Sequence, residues 1–286
     1  MTTIVDQIAE RIPELPKKLA QAARFAVDHP DLVAIESMRS MAQRCQVSTP
    51  TLARLAQELG YNRYSDLRSG FQEQLLGGGF GHRASALSGC DPADGMQCVI
   101  RQISDAARLN IKATLGSNDP SVWQAMAIAL RDCRTCHVLG SGAVNGLALI
   151  MSGSGTMVVP GMRASSDAAA TSIELVSEVG PGDVVLVLAL APYARRSIEA
   201  MRYARQRGAR VFALTDKRSS PAAAEADLAL LGPSSSPHYY PSMIGVVLLI
   251  ETLLAAVVAV SDSSAVDRIR RIETLRRDSG AYLAAD

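Results

Sequence analysis

The chain has 286 residues, of which 48% are hydrophobic and 20% charged, and its formal net charge is +1. That length and composition suit one large globular domain or two smaller ones with a sizeable core. The near-zero balance excludes a surface that seeks nucleic acid or membrane along its whole extent, so any basic site has to be a local cluster.

At the amino terminus, MTTIVDQIAERIPEL interleaves acids with its apolar residues and lacks the continuous apolar run of a signal peptide. Five cysteines, unevenly placed, do not form a disulfide framework, which points to a cytoplasmic protein. Residues 1–76 read as helical throughout. Apolar positions recur at spacings of three and four: Leu19, Ala22, Ala23 and Ala26, then Met38, Met41 and Ala42, then Leu52, Leu55 and Leu59. The glycine- and serine-rich stretch GGGFGHRASALSGCDPADG ends this domain, and a flexible linker is expected over residues 77–94.

From Gly95 to about Arg134 the period is helical again, and then it changes. TCHVLG (135–140), GTMVVPG (155–161), GDVVLVLAL (182–190), ARVFALTD (209–216) and ADLALLG (226–232) are short apolar runs separated by helix-length segments. Such near-continuous apolar strands describe a parallel sheet covered on both faces. Residues 95–286 are therefore expected to form a doubly wound, flavodoxin-like α/β domain with a parallel sheet of about five strands, following the α-helical first domain. The longest apolar stretch, Ile244 to Val260, contains Glu251 and reads as a buried helix rather than a membrane span. Cys133 and Cys136 form a CxxC that has no second pair to complete a metal site, and Cys136 enters an apolar run, so core packing accounts for it. Nothing in the sequence calls for a cofactor or a metal.

The most specific signal is SMRSMAQRCQVSTPTLARLAQELGY, Ser37 to Tyr61. A first helix ends near Cys45, a short turn contains Gln46 and Val47, and Ser48 or Thr49 caps a second helix whose first turn accepts Pro50. Ala42 is small where two helices cross closely, and Val47, Leu52 and Leu55 face inward. Ser48, Thr49, Thr51, Ala53 and Arg54 are left outward. Hydroxyls at a helix N-terminus suit phosphate oxygens or base edges, and an arginine one turn on reaches guanine in the major groove. Between Ser37 and Phe71 the arginines Arg39, Arg44, Arg54, Arg63 and Arg68 are opposed only by Glu58 and Asp66, a surplus of +3. Ser48, Thr49, Thr51, Arg54, Arg63 and Arg68 are thus the candidate DNA contacts.

The run HPDLVAIESMRSMAQRCQVSTPTLARLAQELGYNRYSDLRSGF resembles the N-terminal domain of the RpiR family of bacterial transcription regulators. It departs from that pattern at Gln46, where the turn usually has glycine. The remainder is similar to the SIS (sugar isomerase) domain of that family, on VLGSGAVNGLA, GDVVLVLAL and GARVFALTDKRSSPAAAEADLALL. The resemblance implies a regulator that senses a small, often phosphorylated, sugar-like metabolite and assembles as a homodimer or homotetramer on an inverted-repeat operator.

Ligands of open α/β sheets gather outside the carboxyl ends of the strands. The glycine turn Gly140, Ser141, Gly142 with Asn145 opens a helix and suits either an anion or tight packing. Phosphosugar-binding members usually carry Ser-x-Ser-Gly-x-Thr in the central loop. Here the aligned residues are Ala189, Leu190, Ala191, Pro192, Tyr193 and Ala194, and Val144 stands where serine is frequent. Each missing donor would cost a buried phosphate about 1 to 3 kcal/mol. The loop offers Tyr193, Arg195 and Arg196 instead, groups suited to a carboxylate or phosphate, with His238 of SSSPHYYPSM as a further candidate contact. Ser219 and Ser220 read as the cap of the next helix. The alternative activity, a phosphosugar isomerase with an added helical domain, needs a general base, for which Glu174 and His238 are the candidates.

Overall fold

The computed structural model describes residues 4–75, 84, 95–165 and 173–281. The expected linker, 77–94, lies outside the described residues apart from residue 84. Two compact units are present: Met1–Asp105 with Ala191–Arg195 and Ser236–Pro241, and Ala106–Leu190 with Arg196–Ser235 and Ser242–Asp286.

Among the described residues up to Leu75, the first unit contains six α-helices: α1 (Ile4–Arg11), α2 (Lys17–Asp28), α3 (Pro30–Ile35), α4 (Met38–Arg44), α5 (Thr49–Glu58) and α6 (Tyr64–Leu75). Leu19, Ala22, Ala23 and Ala26 of α2 are buried, as the spacing predicts, together with Met41 and Ala42 of α4 and Leu52, Leu55 and Ala56 of α5. Phe71 and Leu67 of α6 are fully buried.

In the second unit, α7 (Gly95–Gly116), whose first eleven residues fall in the first unit, leads to α8 (Pro120–Asp132), capped by the Asp119 carboxylate on the Ser121 amide at 2.7 Å. The sheet comprises β1 (Cys136–Leu139), β2 (Met162–Ala164), β3 (Val184–Ala189), β4 (Arg210–Thr215) and β5 (Leu228–Leu231). Its order is β2-β1-β3-β4-β5 and all four pairings are parallel, with Cys136 opposite both Met162 and Val184. Parallel neighbours require crossovers, supplied by α9 (Asn145–Gly155), α10 (Arg195–Gln206) and α11 (Pro221–Glu225). Every residue of β3 is buried, which is why its sequence is an unbroken apolar run.

One face of the sheet joins α8, α9 and α12 (Ile244–Val260) in a core that includes Met126, Leu130, Val138, Met151, Leu186, Phe212, Leu249 and Leu253. Helix α13 (Ser263–Asp278) follows. Among the described residues no single helix is long and apolar enough to cross a membrane. The strand order reverses between β1 and β3, so the loops that follow these two strands flank the switch point where ligands of such sheets bind.

One strand differs from the sequence reading. Residues 155–161 are not extended: Gly155 ends α9, and its carbonyl accepts from the amides of Val158 and Val159 at 2.9 and 2.7 Å. Local turn bonds thus win over the apolar run, and β2 begins only at Met162, beyond Pro160, which has no amide to give a ladder.

Candidate functional site

The helix-turn-helix is built by local hydrogen bonds. The Ser37 hydroxyl caps α4 by accepting from the Ser40 amide at 3.2 Å. At its other end the Val47 amide donates to Ala42 and the Gln46 amide to Gln43, at 2.9 and 3.1 Å, a Schellman closure. This closure demands a left-handed residue, and Gln46 adopts it at φ +56° without being glycine. Ser48 then caps α5, accepting from the Thr51 amide, and its hydroxyl also lies 2.8 Å from that of Thr51. The two inward residues, Leu52 and Leu55, are 2% and 1% exposed, which fixes the opposite face of α5 toward solvent.

The arginines of this unit divide into two groups. Arg54 is 68% exposed at its side chain and stands 3.8 Å from Glu58 one turn on; Arg39 and Arg63 are also exposed. Arg44 instead donates to the buried Glu36 at 3.1 Å, and that carboxylate lies just outside the window in which the surplus was counted. Arg68 is turned inward: its Nε donates to the Ala34 carbonyl at 3.0 Å and its Nη2 to that of Ile35 at 3.4 Å. It satisfies the free carbonyls at the end of α3, structural work that the sequence reading did not assign to it. Nearby, burial and the proximity of Cys45, outweighing Arg68, push the Tyr64 phenol up to about 12, and burial raises the Cys45 thiol to about 11.

At the carboxyl ends of the strands, the turn after β1 is shaped by its glycines. A Cβ on Gly140 would stand 2.6 Å from the Val144 carbonyl oxygen, so close packing fixes that residue, whereas Gly142 is required by its φ of +58°. Ser141 reaches across to α10, where its hydroxyl lies 2.9 Å from that of Ser197, itself 1% exposed. The Asn145 side chain donates to the Ser165 carbonyl at 3.3 Å. A second hydroxyl group forms at β4: Thr215 donates to the Ala189 carbonyl at 2.7 Å and bonds Ser220 at 2.9 Å. Ser220 also accepts from the Ala223 amide at 3.0 Å and so caps α11, the role read for it from the sequence.

Tyr193 is buried, while Arg195 and Arg196 are exposed at the start of α10. His238 accepts from the Tyr240 amide on Nδ1 at 3.0 Å, its own amide donates to Ser236 at 3.0 Å, and its ring packs on Tyr239. Tyr193, Arg195 and His238 all belong to segments of the first unit, whereas Gly140, Ser141, Gly142 and Asn145 belong to the second. The hydroxyls of Ser197 and Thr215 were not singled out in the sequence. Ser197 stands just beyond Ala189–Ala194, the stretch that lacks the usual hydroxyls, but its partner lies 56 residues away.

The amino-terminal end of the same sheet carries a different cluster. Asp183, 1% exposed, accepts from Arg134 and from the Thr135 hydroxyl at 2.6 Å. Among the described residues these three line a cleft of about 250 Å³ with His137, Arg163, Glu174 and Glu178. Glu174 therefore stands at the opposite end of the strands from the glycine turn, away from the loops where an isomerase base would be needed. Burial pushes the thiol of Cys133 up to about 11 and that of Cys136 well above its ordinary value. Both stay protonated, which argues for packing rather than a low-pKa redox pair.

Comparison with known proteins matches residues 2–76 to the model of the helix-turn-helix domain of the rpiR family and residues 129–259 to that of the SIS domain. The chain is 25% identical over 215 residues to the HTH-type transcriptional regulator HexR of Pseudomonas aeruginosa, covering 75% of this chain and 74% of that one. It is 22% identical over 241 residues to an uncharacterized HTH-type transcriptional regulator of Caldanaerobacter subterraneus, covering 84% and 83%. Among solved structures it superposes on the Vibrio vulnificus NanR protein complexed with ManNAc-6P with a TM-score of 0.66 at 17% identity, over 98% of this chain and 100% of that one. The sugar isomerase domain of an RpiR transcription factor from Sphaerobacter thermophilus matches with a TM-score of 0.57 at 22% identity, covering 62% and 98%.

Proposed function

Since the chain belongs to the RpiR family of helix-turn-helix regulators with a SIS domain, we propose that it is a DNA-binding transcription regulator whose operator affinity responds to a small sugar-derived or carboxylate-bearing metabolite. The observation that carries this reading is the outward face of α5, which presents Arg54 while Leu52 and Leu55 lock it from behind. We assign DNA contacts to Ser48, Thr49, Thr51, Arg54 and Arg63, and effector contacts to Gly140, Ser141, Gly142, Asn145, Tyr193, Arg195 and His238.

In this proposal residues 1–76 bind DNA, 77–94 connect, and 95–286 bind the effector and form a homodimer or homotetramer. A dimer sets two reading helices roughly 34 Å apart on an inverted repeat. The Vibrio vulnificus neighbour holds ManNAc-6P, which makes a phosphorylated sugar derivative the first effector class to test. In this chain the central loop lacks the usual hydroxyls and is followed by the pair Arg195 and Arg196, so a carboxylate is the competing class.

Footprinting on the chain's own upstream region, with and without candidate effectors, tests the reading. Arg54→Ala is expected to lower operator affinity by about 1 to 3 kcal/mol and flatten sequence preference. The enzymatic alternative is tested by turnover of a phosphosugar panel, and none is expected: of its two candidate bases, Glu174 lines the cleft at the amino end of the sheet and His238 has Nδ1 engaged by the Tyr240 amide.

A further inference from the structure

The solvent face of α5 has an apex that neither the sequence motif nor the list of hydroxyls names. The inward residues are Leu52, Leu55, Ala56 and, half-buried, Leu59. At 100° per residue the point diametrically opposite them falls on Pro50, Arg54 and Gln57. Pro50, Arg54 and Gln57 are exposed, and Ala53 beside them is half-buried. Thr51 lies on the flank, and its hydroxyl is engaged with Ser48 at 2.8 Å. Proline offers no donor, so the groups that point furthest from the domain and carry hydrogen-bonding chemistry are the Arg54 guanidinium and the Gln57 carboxamide.

These two side chains carry complementary halves of the major-groove code. An arginine bonds the O6 and N7 acceptors of guanine in bidentate fashion, and a glutamine bonds the N6 donor and N7 acceptor of adenine. Along the helix axis three residues advance about 4.5 Å, close to the 3.4 Å step between base pairs. Glu58 stands 3.8 Å from Arg54, one turn on.

Resting on the reading of the chain as a DNA-binding regulator, we propose that Gln57 is a specificity-determining residue that reads an adenine next to the guanine read by Arg54, while Thr51, its hydroxyl engaged with Ser48, selects no base. Each half-site then contains a guanine and an adenine on neighbouring base pairs, and substitutions at the two residues relax neighbouring operator positions independently.

The test is selection from a randomised duplex library by the full-length protein, comparing wild type with Arg54→Ala, Gln57→Ala and Thr51→Ala, each checked for an unchanged melting temperature. The expected result is a wild-type motif with one position per half-site that loses its preference for adenine by about tenfold or more in Gln57→Ala. The adjacent guanine preference is lost in Arg54→Ala, and Thr51→Ala leaves the motif intact. A Gln57→Ala motif identical to wild type overturns the assignment while leaving the regulator reading in place. A wild-type protein that enriches no motif overturns both.

Discussion

Asp183 and Arg134 meet through two parallel hydrogen bonds, from Nε at 3.0 Å and from Nη2 at 2.5 Å, which tie the residue before β3 to the segment that enters β1. Burial alone would raise this carboxyl. The bonds from Arg134, Thr135 and the Gly180 amide, with the charge of Arg134, outweigh burial and bring it down to about 2. A folded value below the unfolded one of about 3.9 means that this stabilisation is complete above pH 4 and is lost as pH falls through 2. The shift corresponds to about 2 kcal/mol. Unfolding free energies of wild type and Asp183→Asn from urea titration should differ by that order at pH 7 and converge between pH 4 and pH 2; a gap independent of pH would show that the ionised pair is not its source.

The left-handed Gln46 gives a prediction of opposite sign. A side chain in this conformation costs about 1 kcal/mol or more relative to glycine. Gln46→Gly should therefore raise the stability of the helix-turn-helix by about 1 kcal/mol, seen as a melting temperature several degrees higher. Gln46→Val, β-branched, should lower it. If glycine fails to stabilise, the Gln46 side chain has a compensating role.

Tyr64 supplies a second stabilising substitution. Its hydroxyl is buried and, among the described residues, has no hydrogen-bond partner. Removing an unsatisfied buried group recovers desolvation of about 1 kcal/mol. Tyr64→Phe should fold with equal or greater stability. It should also remove the late phase of tyrosine ionisation near pH 12, because the raised phenol binds its proton in the folded state through pH 10, where unfolded tyrosine begins to lose it. Stability that depends on this residue should accordingly fall as pH rises from 10 to 12.

Arg68 separates structural from reading arginines. Arg68→Ala should cost about 2 kcal/mol of stability, since charged donors to the Ala34 and Ile35 carbonyls are lost. Base preference in the folded protein should remain. Arg68→Lys should rescue only partly, because an ammonium lacks the two-pronged geometry. A variant of full stability and altered base preference would place Arg68 among the readers instead.

The loops proposed to hold the effector predict a ranking. In a thermal-shift screen, carboxylate-bearing sugar derivatives should stabilise the protein more than simple sugar phosphates. Arg195→Ala should abolish the shift, and Ser197→Ala should reduce it by breaking the hydroxyl pair with Ser141. A large shift from a sugar phosphate that vanishes in Arg195→Ala would show that arginine has taken the place of the usual hydroxyls.

What could be read from the sequence depended on how locally each feature is determined. The inward face of α5 follows from Leu52 and Leu55 alone, and β3 announces itself because both of its faces are covered. Long-range pairings left no trace: Glu36 neutralises Arg44 from eight residues away, and Ser141 meets Ser197 only once β1 and β3 lie side by side. At Gly155 to Gly161, apolar residues in a row suggested a strand, while turn hydrogen bonds at the end of α9 took precedence.

The contact of Arg68 with α3 also closes a ring. Its two carbonyl partners lie 34 and 33 residues earlier, so α4, the turn and α5 form a loop of chain whose two ends are fastened by one side chain. Opening either end releases the restriction on the whole loop, whereas fraying inside it gains little chain freedom while the clasp holds. Amide exchange across residues 38–58 should therefore be governed by a single opening event, and the surface proposed to meet DNA is kept or lost as one cooperative block.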